Sequence, residues 1–220
     1  MENVVYDEYG SVSSNLLPYE IQYKKDSNFF LVLDNYVKFI KGCEHFIRNT
    51  KDYKAYVAEM AIHGFTNCQV LGNVDSSLGV PGHAVTVEMH HGPILTLFDY
   101  CSAVITHMLK DGLRVRTPII AKIVMNEHWE GNVQTVHLSK TVHQEVDSGR
   151  LFISLKQAHG NLNNFLKKYA NGFTDHQKEK INRYIELSLQ HKSTDGGLFD
   201  LQETMKDWSK RRQNTEQSAE

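Results

Sequence analysis

Cysteine, proline and tryptophan are scarce in this 220-residue chain, which has three, four and two of them. Cys43, Cys68 and Cys101 lie far apart with no C-x-x-C pair. That excludes a disulfide scaffold and a zinc ribbon and points to a reducing compartment. Charge of one sign is also missing. With 24 basic and 26 acidic residues the formal charge is -2, so no global field attracts nucleic acid or an anionic membrane, and any such partner must be held locally. No run of 18 uncharged apolar residues occurs, and the opening MENVVYDEYG has neither a basic region nor an apolar core. No membrane span and no secretion signal are expected, and a cytoplasmic location follows, host cytoplasm if the source is viral.

What is abundant is histidine, at 12, the commonest transition-metal ligand and the one side chain that titrates naturally near neutrality.

The patterning predicts an α+β chain in four parts: an N-terminal α/β subdomain over 1–80, a core over 81–155 with a helical insertion at 94–130, a C-terminal helical hairpin over 156–192, and a flexible polar tail over 193–220. Residues 20–33 read as extended, with Asp34 capping a helix over 35–48 and a second helix following at 52–62. CQVLG (68–72) reads as a short strand and 73–84 as a loop. Val85, Val87 and Met89 alternate with Thr86, Glu88 and His90, the signature of a half-buried strand over 85–91. Helices are predicted at 96–112, ended by Gly112, and at 117–129, opened by Thr117-Pro118. Ser139 should cap a helix that stops at Gly149, LFISL (151–155) should be a strand, and two amphipathic helices should span 156–170 and 174–190, the second opened by a Thr174/Gln177 capping box. Leu97, Tyr100, Cys101, Val104, Ile105 and Met108 form a core stripe at helical spacing.

Three segments together carry the chemistry: Glu88-Met89-His90-His91 on the strand, Asn132 in a loop, and His143-Gln144-Glu145-Val146-Asp147 on the following helix. This order resembles the HNH, or His-Me finger, nucleases, with the departure that forty residues separate the histidine pair from the asparagine. The stretch from CQVLG through MHHGP to LSKTVH also resembles HNH-like proteins of large tailed bacteriophages. The resemblance implies a ββα-metal fold and a metal-dependent endonuclease acting on DNA or RNA, DNA being favoured. Within it His90, His143 and Asp147 would be ligands, His91 the general base and Asn132 a loop brace.

Elementary chemistry fits those roles. Adjacent strand residues face opposite sides, so His90 and His91 can serve one site only if Gly92-Pro93 ends the strand beside them. Positions 143 and 147 lie one helical turn apart and face the same way. An ion held at three points keeps positions open for a phosphate oxygen. Asp147 stands where many HNH members have a second histidine, which favours Mg²⁺ or Mn²⁺ while leaving Zn²⁺ open. Arg114, Arg116 and Arg150 are the candidate phosphate contacts. His128 is an alternative ligand, but a histidine ending an amphipathic helix reads more readily as a dipole-favoured terminus. A competing reading is a non-catalytic phage structural protein that keeps an HNH-like element for its shape. The nuclease reading demands that His90, His143 and Asp147 converge, that His91 project into an open cleft, and that 94–130 pack as two helices on the outer side of the motif.

Overall fold

The computed structural model describes residues 25–75, 85–193 and 196–217. Eight α-helices and a two-stranded antiparallel sheet are present among them: α1 (Leu33–Asn49), α2 (Lys51–Ile62), β1 (Val87–His91), α3 (Leu97–Lys110), α4 (Thr117–Trp129), β2 (Thr135–Ser139), α5 (Lys140–Asp147), α6 (Leu162–Lys168), α7 (Asp175–Gln190) and α8 (Gly196–Gln217). The chain is thus mixed helix and small sheet, as an α+β reading requires.

α3 is the centre of the molecule. Its Leu97, Tyr100, Cys101, Ala103, Val104, Ile105 and Met108 are all buried, against α1, α4 and the short 3-10 turn at Ala170–Gly172. Thr96 and Asp99 close a capping box at its start, and Gly112, at φ +74°, follows its end. One continuous core takes Ile40 and Ile47 from α1, Val124 from α4, Phe165 from α6, Ile181 from α7 and Leu201 from α8. The helices of 94–130 therefore lie at the heart of the protein, not on the outer side of the sheet.

The sheet sits on the flank of this helical body. Its register pairs Val87 with Ser139, Met89 with His137 and His91 with Thr135. Period-two alternation then gives two distinct faces. Val87, Met89 and His91, with Thr135 and His137, turn towards the helical core, where His91 meets Tyr53 and His128, and His137 meets Phe65. Glu88 and His90, with Val136 and Leu138, turn the other way, and α5 folds across that side. A second, small core of Cys68, Val136, Leu138, Val142 and Ile153 lies beneath α5.

Several expectations change. Residues 27–31 form a 3-10 turn, and Val32, not Asp34, occupies the N-cap of α1, with Asp34 inside its first turn. CQVLG is not a strand: it turns back on itself, flanked by an isolated bridge between Asn67 and Asp75. Of the 73–84 loop, 76–84 lies outside the described residues. Ser139 holds the N-cap position of α5 without a side-chain capping bond. LFISL is no strand and leads into a 3-10 turn at Leu155–Gln157. The helix expected over 156–170 shrinks to Leu162–Lys168, while the Thr174/Gln177 capping box opens α7 as read. The tail expected to be flexible is largely α8, anchored by buried Leu198, Leu201 and Met205.

Candidate metal centre

His90 reaches the outer face of β1 because it lies two residues from Glu88, and α5 brings His143 and Asp147 onto that face one turn apart. The three side chains each offer one ligand atom, and these atoms all lie within 4.8 Å of one another. The rings of His90 and His143 are 4.3 Å apart between centroids, and His143 Nε2 stands 3.4 Å from an Asp147 carboxylate oxygen. A shared ion about 2.1 Å from each donor would draw them to roughly 3.5 Å, a shift that side-chain rotation supplies. Burial, and then the neighbouring His143, hold the His90 pKa below its ordinary value. At neutral pH its imidazole is therefore uncharged, the form that binds metals.

The cluster lines a cleft of about 410 Å³, shared with Glu44, Arg48, Glu88 and, at its wall, His91. Sequence reasoning missed Arg48, because only tertiary packing brings α1 beside β1. Glu88 did have a sequence signal, its period-two relation to His90.

His91 behaves quite differently. β1 ends at His91, yet His91 is still paired with Thr135, and the Gly92 N–H donates to the Gln134 carbonyl at 3.3 Å. His91 therefore keeps strand alternation and turns into the core, where it is 3% exposed. Its ring stacks on Tyr53, and its Nε2 lies 2.9 Å from His128 Nε2. His128 Nδ1 faces the Val124 carbonyl at 2.7 Å, which can only accept, so that nitrogen carries the proton. His128 Nε2 is then the acceptor and His91 Nε2 the donor. Burial pushes His91 well below its ordinary pKa and His128 down to about 4, so the pair is neutral at physiological pH. The imidazole expected in an open cleft is thus buried and committed to another histidine. His128, read as a helix terminus favoured when protonated, is a neutral core residue.

Asn132 also lies apart from the metal cluster. Its amide donates to Glu127 at 2.8 Å and to Glu130 at 3.1 Å. Glu127 is 1% exposed and also receives the Tyr169 hydroxyl and the Lys168 ammonium. Asn132 braces the corner between α4 and β2. Replacing Asn132 by alanine should lower stability by about 1.5–3 kcal/mol, the worth of a hydrogen bond to a buried charge, and leave metal affinity unchanged. Chemical denaturation beside a metal titration checks both halves.

The expected phosphate contacts scatter. Arg116 stands at the N-cap of α4 with Arg114 just before it, while His128, the α4 residue that touches His91, is at the opposite end, roughly 18 Å away along a helix of this length. Arg150 is clamped by Glu145 through two hydrogen bonds of 2.7 and 2.9 Å. Arg48 is the arginine that lines the cleft. Among the described residues no helix is long and apolar enough to cross a membrane.

A family model described as bacteriophage G278-like virion protein matches residues 10–210. No curated protein and no solved structure matches the chain.

Proposed function

The chain belongs to the bacteriophage G278-like virion protein family, and we propose that it is a structural, non-catalytic component of the phage particle whose small sheet and α5 are stapled by one divalent ion. The observation that carries this reading is the burial of His91. A metal-dependent nuclease of the HNH kind needs a base open to water beside the ion, and here His91, although it borders the cleft, is 3% exposed and has its Nε2 spent on His128. The site keeps donors suited to an ion while lacking that water-activating partner. Two imidazoles and a carboxylate suit Zn²⁺ or Mn²⁺ better than Mg²⁺, which prefers oxygen ligands and near-ideal octahedral geometry.

A staple has a physical use at this position. The satellite core beneath α5 is small, and α5 is only eight residues long, too short to be stable by itself. An ion shared by β1 and α5 would add binding free energy to the folded state alone.

Purified protein titrated with Zn²⁺ and Mn²⁺ should take up one equivalent. The ion at a hundred times its Kd should raise stability by about 2.7 kcal/mol. Supercoiled plasmid and single-stranded DNA incubated with Mg²⁺, Mn²⁺ or Zn²⁺ should stay intact. His90→Ala and Asp147→Ala should remove the metal-induced stabilisation and leave the metal-free fold in place. Metal-dependent cleavage that disappears in His90→Ala would overturn the structural reading in favour of a nuclease.

A further inference from the structure

We infer that Glu88 is the positioning residue of the metal centre, its carboxylate receiving the Nδ1–H of His143 so that His143 Nε2 is presented to the ion. This rests on the metal-staple reading above.

The geometry separates the two carboxylates around His143. Asp147 faces Nε2 at 3.4 Å, and Glu88 faces Nδ1 at 4.0 Å. The two nitrogens of one imidazole point in divergent directions, so a single ion bound at one of them is not served by a carboxylate lying off the other. Asp147 belongs with His90 and His143 to the three-donor cluster, and Glu88 does not. That leaves Glu88 in the position of an outer carboxylate, the partner that metal-bound histidines commonly use to fix their tautomer and ring orientation and to raise their basicity.

Local structure supports the assignment. Glu88 and His90 occupy alternate positions of β1 and share a face, so the strand that supplies one ligand also supplies the support for another. The Glu88 side chain is 53% exposed and has the rotational freedom to close from 4.0 Å to the 2.7–2.9 Å of a charge-assisted hydrogen bond. Its exposure also makes it a clean site to change, because no packing is lost. His143 lies on a short surface helix with 27% of its side chain exposed, the His90 ring and Asp147 on one hand and Glu88, off Nδ1, on the other. A ring so placed needs an external hydrogen bond to stay in one orientation.

The test compares wild type, Glu88→Ala, Glu88→Gln and Asp147→Ala by calorimetric Zn²⁺ titration and by ¹⁵N-histidine NMR of the Zn²⁺-loaded protein. Glu88→Ala should weaken Zn²⁺ binding 10–100-fold, and Glu88→Gln should recover part of that loss, because its amide oxygen still accepts the same bond without the charge. In the loaded wild type the His143 Nδ1–H should give a sharp, protected resonance, which exchange should broaden in Glu88→Ala. Asp147→Ala should lose more affinity than either Glu88 variant. Unchanged affinity and an unchanged His143 signal in Glu88→Ala would overturn the role of Glu88 while the metal centre stands. A loss in Glu88→Ala equal to that of Asp147→Ala, with the Nδ1–H still protected, would make Glu88 a direct ligand instead. Failure of the wild type itself to bind Zn²⁺ would overturn the staple and the positioning role together.

Discussion

Acidification of the metal-free protein from pH 6.5 to about 4 should cost roughly 6 kcal/mol of folding stability, enough to unfold many domains of this size. The cause is a set of histidines buried as neutral rings. Burial brings His128 and His137 each down to about 4 and pushes His91 well below its ordinary value. In the unfolded chain the same rings titrate near 6.5. Between those values the unfolded state binds protons that the native state refuses, so stability rises with pH and falls on acidification. Each such ring contributes about 1.4 kcal/mol per pH unit across its window. His128 and His137 alone therefore account for roughly 3 kcal/mol each, and His91 adds in the same direction. The carboxylate Glu145, held low by Arg150, also loses its contribution in acid, but only from its ordinary pKa of about 4.5 downward, so most of the histidine window lies above it. Urea midpoints measured at half-unit steps from pH 7.5 to 4 check the slope. Replacing His137 by glutamine should flatten it by about 1.4 kcal/mol per pH unit. A stability that stays level from pH 6.5 to 4.5 would mean that these rings are protonated in the native state.

The same histidines show how far the sequence could be read. Alternation along VTVEMHH already placed His90 and His91 on opposite faces, and i, i+4 spacing already placed His143 with Asp147. Those are local regularities, and the fold keeps them. What local pattern could not supply was which face met the core. That depends on β2 pairing in the register His91 to Thr135 across a long excursion and on α4 delivering His128 to the same spot. The Gly92-Pro93 pair does end the strand, which stops at His91, but His91 is itself still paired with Thr135, so the expected turn of His91 towards solvent never occurs. The phage resemblance in this region agrees with the family to which the chain belongs. The nuclease role attached to that resemblance was an inference from residue types, and their placement favours the structural alternative.

Helix recognition divides along similar lines. α3 was legible because a thick apolar stripe coincides with a capping threonine and a terminal glycine. α8 was not, because its buried side is the narrow row Leu198, Leu201 and Met205 within an otherwise polar stretch. Such a row is indistinguishable from scattered surface leucines until α6 and α7 are there to receive it. LFISL failed in the opposite sense. It has strand composition, but its one fully buried member, Ile153, packs into the satellite core without a neighbouring strand, and β propensity does not make a strand where no pairing edge is available.

Gly172 is the position where a single methyl group should do most damage. In the sequence it lies in the short connection of the C-terminal helical hairpin. In the structure it is buried in the 3-10 turn Ala170–Gly172, with its N–H donating to the Tyr169 carbonyl at 2.7 Å. The turn lies directly on α3. A Cβ at this position would collide with the Ala103 carbonyl oxygen, stand 2.8 Å from its carbon, and meet His107 Cβ at 3.1 Å. Ala103 is itself fully buried in the most enclosed helix of the protein, so the obstacle is backbone that cannot rotate away. Relief requires moving the turn off α3, which opens the contact that seats Phe173 and Tyr169 in the core. Gly172→Ala should therefore destabilise the protein by about 3 kcal/mol or more, at the upper end of overpacking costs. Gly42 gives the opposite result from the same substitution. It sits within α1 with nothing inside 4 Å of the place a methyl group would take, so Gly42→Ala should stabilise by about 0.5–1 kcal/mol through helix propensity and reduced unfolded-state entropy. Thermal and urea unfolding of the two variants side by side checks the pair. A Gly172→Ala protein as stable as wild type would show that the turn can withdraw from α3 without cost.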